Sequence, residues 1–120
     1  MSEPKNTIPE DKLALYDKLI ASHPQIERKG KTIPYTSLNG HMFSFLDPQG
    51  SMGLRLSRDH REEFIKKFNT RLMEQYGRVM KEYVLVPDAL LFETAILSEY
   101  LQQSYDYVAA LKPKATRKKG

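Results

Sequence analysis

The stretch IPYTSLNGHMFSFLDPQGSMGLRLS, residues 33–57, carries two turn signals, Asn39-Gly40 and Asp47-Pro48-Gln49-Gly50, between three short runs rich in apolar and hydroxyl residues. It predicts a three-stranded antiparallel meander. Asn-Gly fills both positive-φ positions of a type I′ turn without steric cost, and Asp-Pro-Gln-Gly suits a turn with proline second. In the third run Met52, Leu54 and Leu56 share one face while Ser51, Gly53, Arg55 and Ser57 share the other, so a one-residue slip would turn the core face to water. In the second run, residues 41–47, Met42, Ser44 and Leu46 alternate with Phe43, Phe45 and Asp47. Both rows are largely apolar, which calls for helices over one face and for Tyr35 or a partner surface over the other. Pro34 cannot donate to a ladder, so the first run, residues 32–38, belongs at a sheet edge or has Pro34 at its rim.

Working outward, residues 1–8 are expected to be a flexible lead-in. A helix then starts at Pro9, with Glu10 and Asp11 at its positive end and Leu13, Tyr16, Leu19 and Ile20 at helical spacing, and stops at His23-Pro24. Downstream, Ser57 or Asp59 caps a second helix with Phe64, Ile65 and Phe68 as its apolar stripe. Asn69-Thr70 breaks it, and a short helical turn over residues 71–76 is expected to stop at Gly77. Residues 79–86 read as a fourth strand closed by Pro87, and residues 88–92 as a short helix. Thr94 is expected to cap a long helix to Leu111, burying Leu97, Leu101, Ser104, Val108 and Leu111 until Lys112-Pro113 ends it. The expected fold is one α+β domain over residues 9–111. Its antiparallel sheet has about four strands, the meander plus one later strand, packed against the N- and C-terminal helices. Residues 112–120 are expected to be a disordered basic tail, with too little apolar surface to offset the entropy of ordering.

A chain of 120 residues suits one core. It has no cysteine, which excludes disulfides, thiolate metal sites and cysteine nucleophiles. With no apolar signal-peptide core near the start and no apolar run long enough to span a bilayer, a cytoplasmic protein without membrane contact is expected. The net charge of +4 divides unevenly: residues 27–81 hold eleven basic and six acidic groups, residues 82–111 none and five, and residues 112–120 five and none. A basic middle and an acidic final helix are expected to pack together and partly cancel.

The search for reactive constellations yields no catalytic, cofactor or metal residues. His23, His41 and His60 show no spacing that would put two ligands on one helical face, and His60 beside Asp59 lies in a charged run that reads as a solvated helix face. No serine sits in a nucleophile elbow, and the glycines form no phosphate loop. Gly53, inside a strand, marks a bulge or a close approach of another segment. Tyr100, Tyr105 and Tyr107 accompany Glu99 and Asp106, with no basic residue before Lys112, so core packing or an interface suits these rings better than stacking on nucleic-acid bases.

Several motifs, taken in order, resemble the N-terminal domain of the TfoX/Sxy competence regulators: Asn39-Gly40-His41-Met42-Phe43-Ser44-Phe45-Leu46, then Met52-Gly53-Leu54-Arg55-Leu56, then Tyr83-Val84-Leu85-Val86-Pro87, then the tyrosine-bearing helix. The similarity spans about residues 12–111. One segment departs from the family pattern: where members carry Arg-x-Met-Phe-Gly-Gly, this chain has Lys31-Thr32-Ile33-Pro34-Tyr35-Thr36. The resemblance implies a compact α+β domain associated with transcriptional regulation and offers no catalytic residues. The leading expectation is therefore a non-enzymatic interaction or regulatory module with a protein partner or self-association. The alternative is a nucleic-acid-binding accessory protein acting through Lys112, Lys114, Arg117, Lys118 and Lys119, aided by Arg55, Arg58, Arg61, Lys66, Lys67 and Arg71. Third comes a ligand-binding protein or enzyme with a pocket near His41, Arg55 and Tyr35.

Overall fold

The computed structural model describes residues 8–30 and 33–112. Along the chain come α1 (Glu10–Ala21), β1 (Tyr35–Leu38), β2 (His41–Leu46), β3 (Met52–Arg55), α2 (Arg58–Phe68), β4 (Leu72–Gln75), β5 (Arg78–Val86), α3 (Asp88–Leu91) and α4 (Thr94–Ala109). The fold is α+β, with an antiparallel five-stranded sheet in the order β1-β2-β3-β5-β4. The meander turns as its sequence dictates. Asn39 and Gly40 take φ of 56° and 80° between β1 and β2, and the Asp47 carboxylate accepts the amides of Gln49 and Ser51, each at 2.9 Å, between β2 and β3. β1 is an edge strand, and the carbonyl of Pro34 at its entry accepts the Leu46 amide at 3.0 Å.

Three helices cover one face of the sheet. Tyr16, Leu19 and Ile20 of α1, Phe64 of α2, and Leu97, Leu101 and Val108 of α4 meet Leu46, Met52, Leu54, Val84 and Val86 in a single core. Each such side chain contributes roughly 1.5–3 kcal/mol by leaving water. α2 thus joins the terminal helices as part of the cover. Under α1 three buried hydroxyls satisfy one another: Ser44 Oγ lies 2.7 Å from Tyr16 Oη and 2.6 Å from Thr36 Oγ1. Without these bonds each would cost about 1–3 kcal/mol as an unpaired buried group.

Several expectations are corrected. Residues 71–76 form no helical turn. Leu72–Gln75 is a strand, paired to β5 through the two-residue turn Tyr76-Gly77. In β2 the alternation breaks at Phe43: Thr36 pairs Ser44 but Ser37 pairs Met42, a bulge that re-aims Phe43 into the main core and leaves Phe45 outside it. Thr94 is the first residue of α4, with Glu93 at the cap position, and Ser57 caps α2 by backbone position without a side-chain bond. The lead-in through residue 7, Lys31, Thr32 and residues 113–120 lie outside the described residues.

Part of the second sheet face is covered from within the chain. Leu72 pairs Val84 while Glu74 pairs Val79, so two steps along β4 match five along β5, and the longer path of β5 bends the ribbon. Met73, 2 % exposed, comes against Gly53 and the Phe45 ring, and Tyr83 packs on Phe45 at 5.7 Å between centroids. Gly53 is the close-approach site its sequence position suggested, because a Cβ there would lie 2.7 Å from the Phe45 ring.

Candidate functional site

The strongest local anomaly is the turn of the β4–β5 hairpin. Tyr76 takes φ of 55° ahead of Gly77 at 77°, the geometry that Asn39-Gly40 adopts with a far better suited residue. For a bulky side chain the left-handed region costs about 1–2 kcal/mol. Burial does not offset that cost, because Tyr76 is 94 % exposed and Val79 beside it 50 %. The base of the tip is held in place. Met73 is buried beneath it, and Gln75 Nε2 donates to Asp47 Oδ2 at 3.2 Å, completing the satisfaction of a carboxylate only 6 % exposed. Exposed Arg78 pairs Gln75 across the ribbon and forms no ion pair among the described residues.

Next along the same edge, where α2 ends at Asn69 in the left-handed region (φ 54°), an open groove of about 530 Å³ is lined by Glu62, Ile65, Lys66, Asn69 and Thr70. A second groove of about 350 Å³ separates α2 from α4, with Lys67 Nζ held 5.6 Å above Phe68 and 5.9 Å above Tyr100. Both grooves are open clefts rather than enclosed chambers.

Among the described residues, the basic side chains singled out by sequence differ in how far they are engaged within the fold. Arg55 is engaged inside the fold: its Nε and Nη2 reach Glu82 Oε1 at 2.7 and 2.6 Å, and its guanidinium lies 5.8 Å from the Tyr107 ring centre. Arg61 donates to the Leu56 carbonyl at 3.1 Å, and Arg58 pairs with Glu62 at 3.5 Å. Lys66, Lys67 and Arg71 are exposed around the end of α2, with Arg71 4.0 Å from Glu74. Lys112 is exposed, while Lys114, Arg117, Lys118 and Lys119 lie outside the described residues.

Among the described residues, no pocket is lined by His41, Arg55 and Tyr35 together. His41 Nε2 bonds the Lys112 carbonyl at 2.9 Å, Tyr35 exchanges backbone bonds with Lys29, and the depression at Arg55 is completed by Met80, Lys81, Glu82 and Tyr83. His23 Nε2 meets Gln102 Oε1 at 2.8 Å and stacks obliquely on Tyr105, tying the end of α1 to α4. Among the described residues no group of three or more His, Cys, Asp or Glu could hold a metal, and no helix is long and apolar enough to cross a membrane. Burial raises the pKa values of Tyr16 and Tyr83, opposed at Tyr16 by the Ser44 and Thr36 hydroxyls and at Tyr83 by the Arg55 charge. No protein family, characterised protein or solved structure matches this chain.

Sequence reasoning missed Tyr76. The available signal was a two-residue X-Gly spacer between Leu72–Gln75 and the valine-rich run that follows, and tyrosine in the place of asparagine hid it.

Proposed function

We propose that this chain is a non-enzymatic interaction module and that its contact element is the tip of the β4–β5 hairpin. The observation that carries the reading is Tyr76, a ring 94 % exposed on a strained turn. Folding alone favours asparagine there, and an inference of function starts properly from such an outlier. Tyrosine is among the residues that dominate binding energy at protein interfaces, since it offers a large rigid ring at low entropic cost. The buried Met73 and the Gln75–Asp47 bond present that ring from a fixed base. The engaged state of His23, His41 and Arg55 supports the same reading, because each commits at least one side-chain nitrogen to an intramolecular bond. The resemblance to the TfoX/Sxy N-terminal domain supports placing the module in a regulatory role in the cytoplasm.

The test is photocrosslinking in cells with benzoylphenylalanine at position 76 and, as a control, at exposed Glu99 on α4. A discrete adduct from position 76 and none from position 99 is the expected result. Position 76 giving no adduct sinks the reading.

A further inference from the structure

Resting on that reading and naming its partner, we propose that the hairpin tip docks on a second copy of this chain, with two β4 strands pairing antiparallel about a two-fold axis. β4 is an edge of the sheet. The two-residue turn makes Gln75 and Arg78 a facing pair, so by the alternation of an antiparallel ladder Glu74 and Leu72 direct their backbone groups to the open side, where the Glu74 carbonyl accepts Gln75 Nε2 at 3.0 Å and exchanges that bond for a second copy's amide on pairing. Two such edges match when Leu72 of one copy faces Glu74 of the other, with Met73 on the axis. That register carries Tyr76 level with the second copy's Thr70.

Thr70 rims the groove of about 530 Å³ at the end of α2. In that register the projecting ring of one copy comes to the end of the edge where the other copy's cleft opens. Each copy supplies one of each, as an isologous interface demands. Charge agrees with shape. The groove presents Glu62 and Lys66, and the tip presents Arg78 beside the ring. Arg78 then shares the second copy's Glu62 with that copy's Arg58, which lies 3.5 Å from it, and that copy's Lys66 lies against the face of the phenol, a favourable site for a cation. β4 has only four residues, so the contact is a small one and the dimer weak and reversible.

Sedimentation of the full chain over a concentration series tests this. Wild-type protein is expected to show a reversible monomer–dimer equilibrium. Tyr76→Asn, which suits the turn better, should weaken dimerisation at least about tenfold without lowering the melting temperature, and Tyr76→Phe should stay close to wild type. Arg78→Glu should weaken the dimer, and Glu62→Arg combined with Arg78→Glu should restore it, since the swapped pair forms again across the axis. Wild type that sediments as a monomer throughout, Tyr76→Asn protein that dimerises like wild type, or a charge swap that fails to rescue overturns the proposal. The crosslinking experiment separates this failure from failure of the interaction reading: an adduct to a different protein keeps the module and removes the dimer.

Discussion

At the residue scale, Tyr16 shows how burial turns a phenol into a pH-dependent element of stability. Its pKa is raised by desolvation, so the folded state keeps its proton at pH values where the unfolded chain has lost it. The contribution is full below the ordinary tyrosine value of about 10 and drains away as pH rises above it, by at most about 1.4 kcal/mol per pH unit for this one group. Tyr83 is shifted in the same direction and adds to the loss in the same window. Tyr16→Phe is expected to cost about 0.5–1.5 kcal/mol near neutrality, for the lost bond to Ser44, and to flatten the alkaline decline in denaturant titrations. An alkaline limb as steep as wild type would place the titrating group elsewhere. Gly53 makes the second residue-scale case. Gly53→Ala puts a methyl 2.7 Å from the Phe45 ring, an overpacking expected to cost about 1–3 kcal/mol. Phe45→Leu in the same chain should recover part of that loss, whereas two additive losses would deny the contact.

At the element scale, β3 tests the meander. Leu54 is fully buried between the helices and the sheet, so Leu54→Ala should cost about 2–5 kcal/mol, while Ser51→Ala, whose hydroxyl has no described bond, should stay within about 0.5 kcal/mol. Equal effects at both positions in urea unfolding would show the strand phase to be wrong. The β1–β2 and β4–β5 hairpins show why one was legible and the other not. Asn39-Gly40 announces a left-handed pair chemically, because asparagine tolerates positive φ. Tyr76 adopts the same angle against its preference, on a strand held by Met73 packed over Gly53 and by Gln75 on Asp47, partners 20 and more residues away in sequence. The bulge at Phe43 was hidden for a like reason. Alternation in a run apolar on both rows leaves the local side-chain direction free until α4, whose Tyr105 meets Phe43 edge-on at 6.1 Å, claims one ring for the main core.

At the scale of the whole molecule, α4 is the cover on which the sheet depends. It brings Leu97, Leu101 and Val108 into the core, and its Ser104 hydroxyl bonds the carbonyls of Phe43 and Arg55. A fragment ending at residue 93 should be unfolded or aggregated by circular dichroism and light scattering, since a sheet with an uncovered apolar face does not stand alone. A folded monomeric fragment would refute this. The charge distribution sets the second test at this scale. With Arg55 and Arg61 engaged internally, the exposed cations among the described residues from Arg55 onward include Arg58, Lys66, Lys67, Arg71, Arg78 and Lys112, while Lys114, Arg117, Lys118 and Lys119 lie outside the described residues. Removing residues 112–120 takes the formal charge from +4 to −1. Any duplex binding should vanish with that segment for all sequences alike, and the intact chain should show a log-log salt slope of about −0.9 per phosphate contacted. Sequence discrimination by the truncated chain would instead locate an ordered site around the end of α2.

The sequence by itself determined the elements whose signals are local: α1, α2 and α4 from apolar spacing and their stops, the three strands of the meander from two turns with distinctive residues, and the inward face of β3 from strict alternation. It also determined the polarised charge and the lack of thiol chemistry. Tertiary structure alone decided what depends on distant partners. The fifth strand exists because its bent ribbon finds Phe45 and Gly53 to cover. Arg55 became a structural ion pair because Glu82 lies beside it across β3 and β5. Tyr76 became an exposed ring because the strands on either side of it pair, and the twist of paired strands favours a two-residue turn of the left-handed type I′.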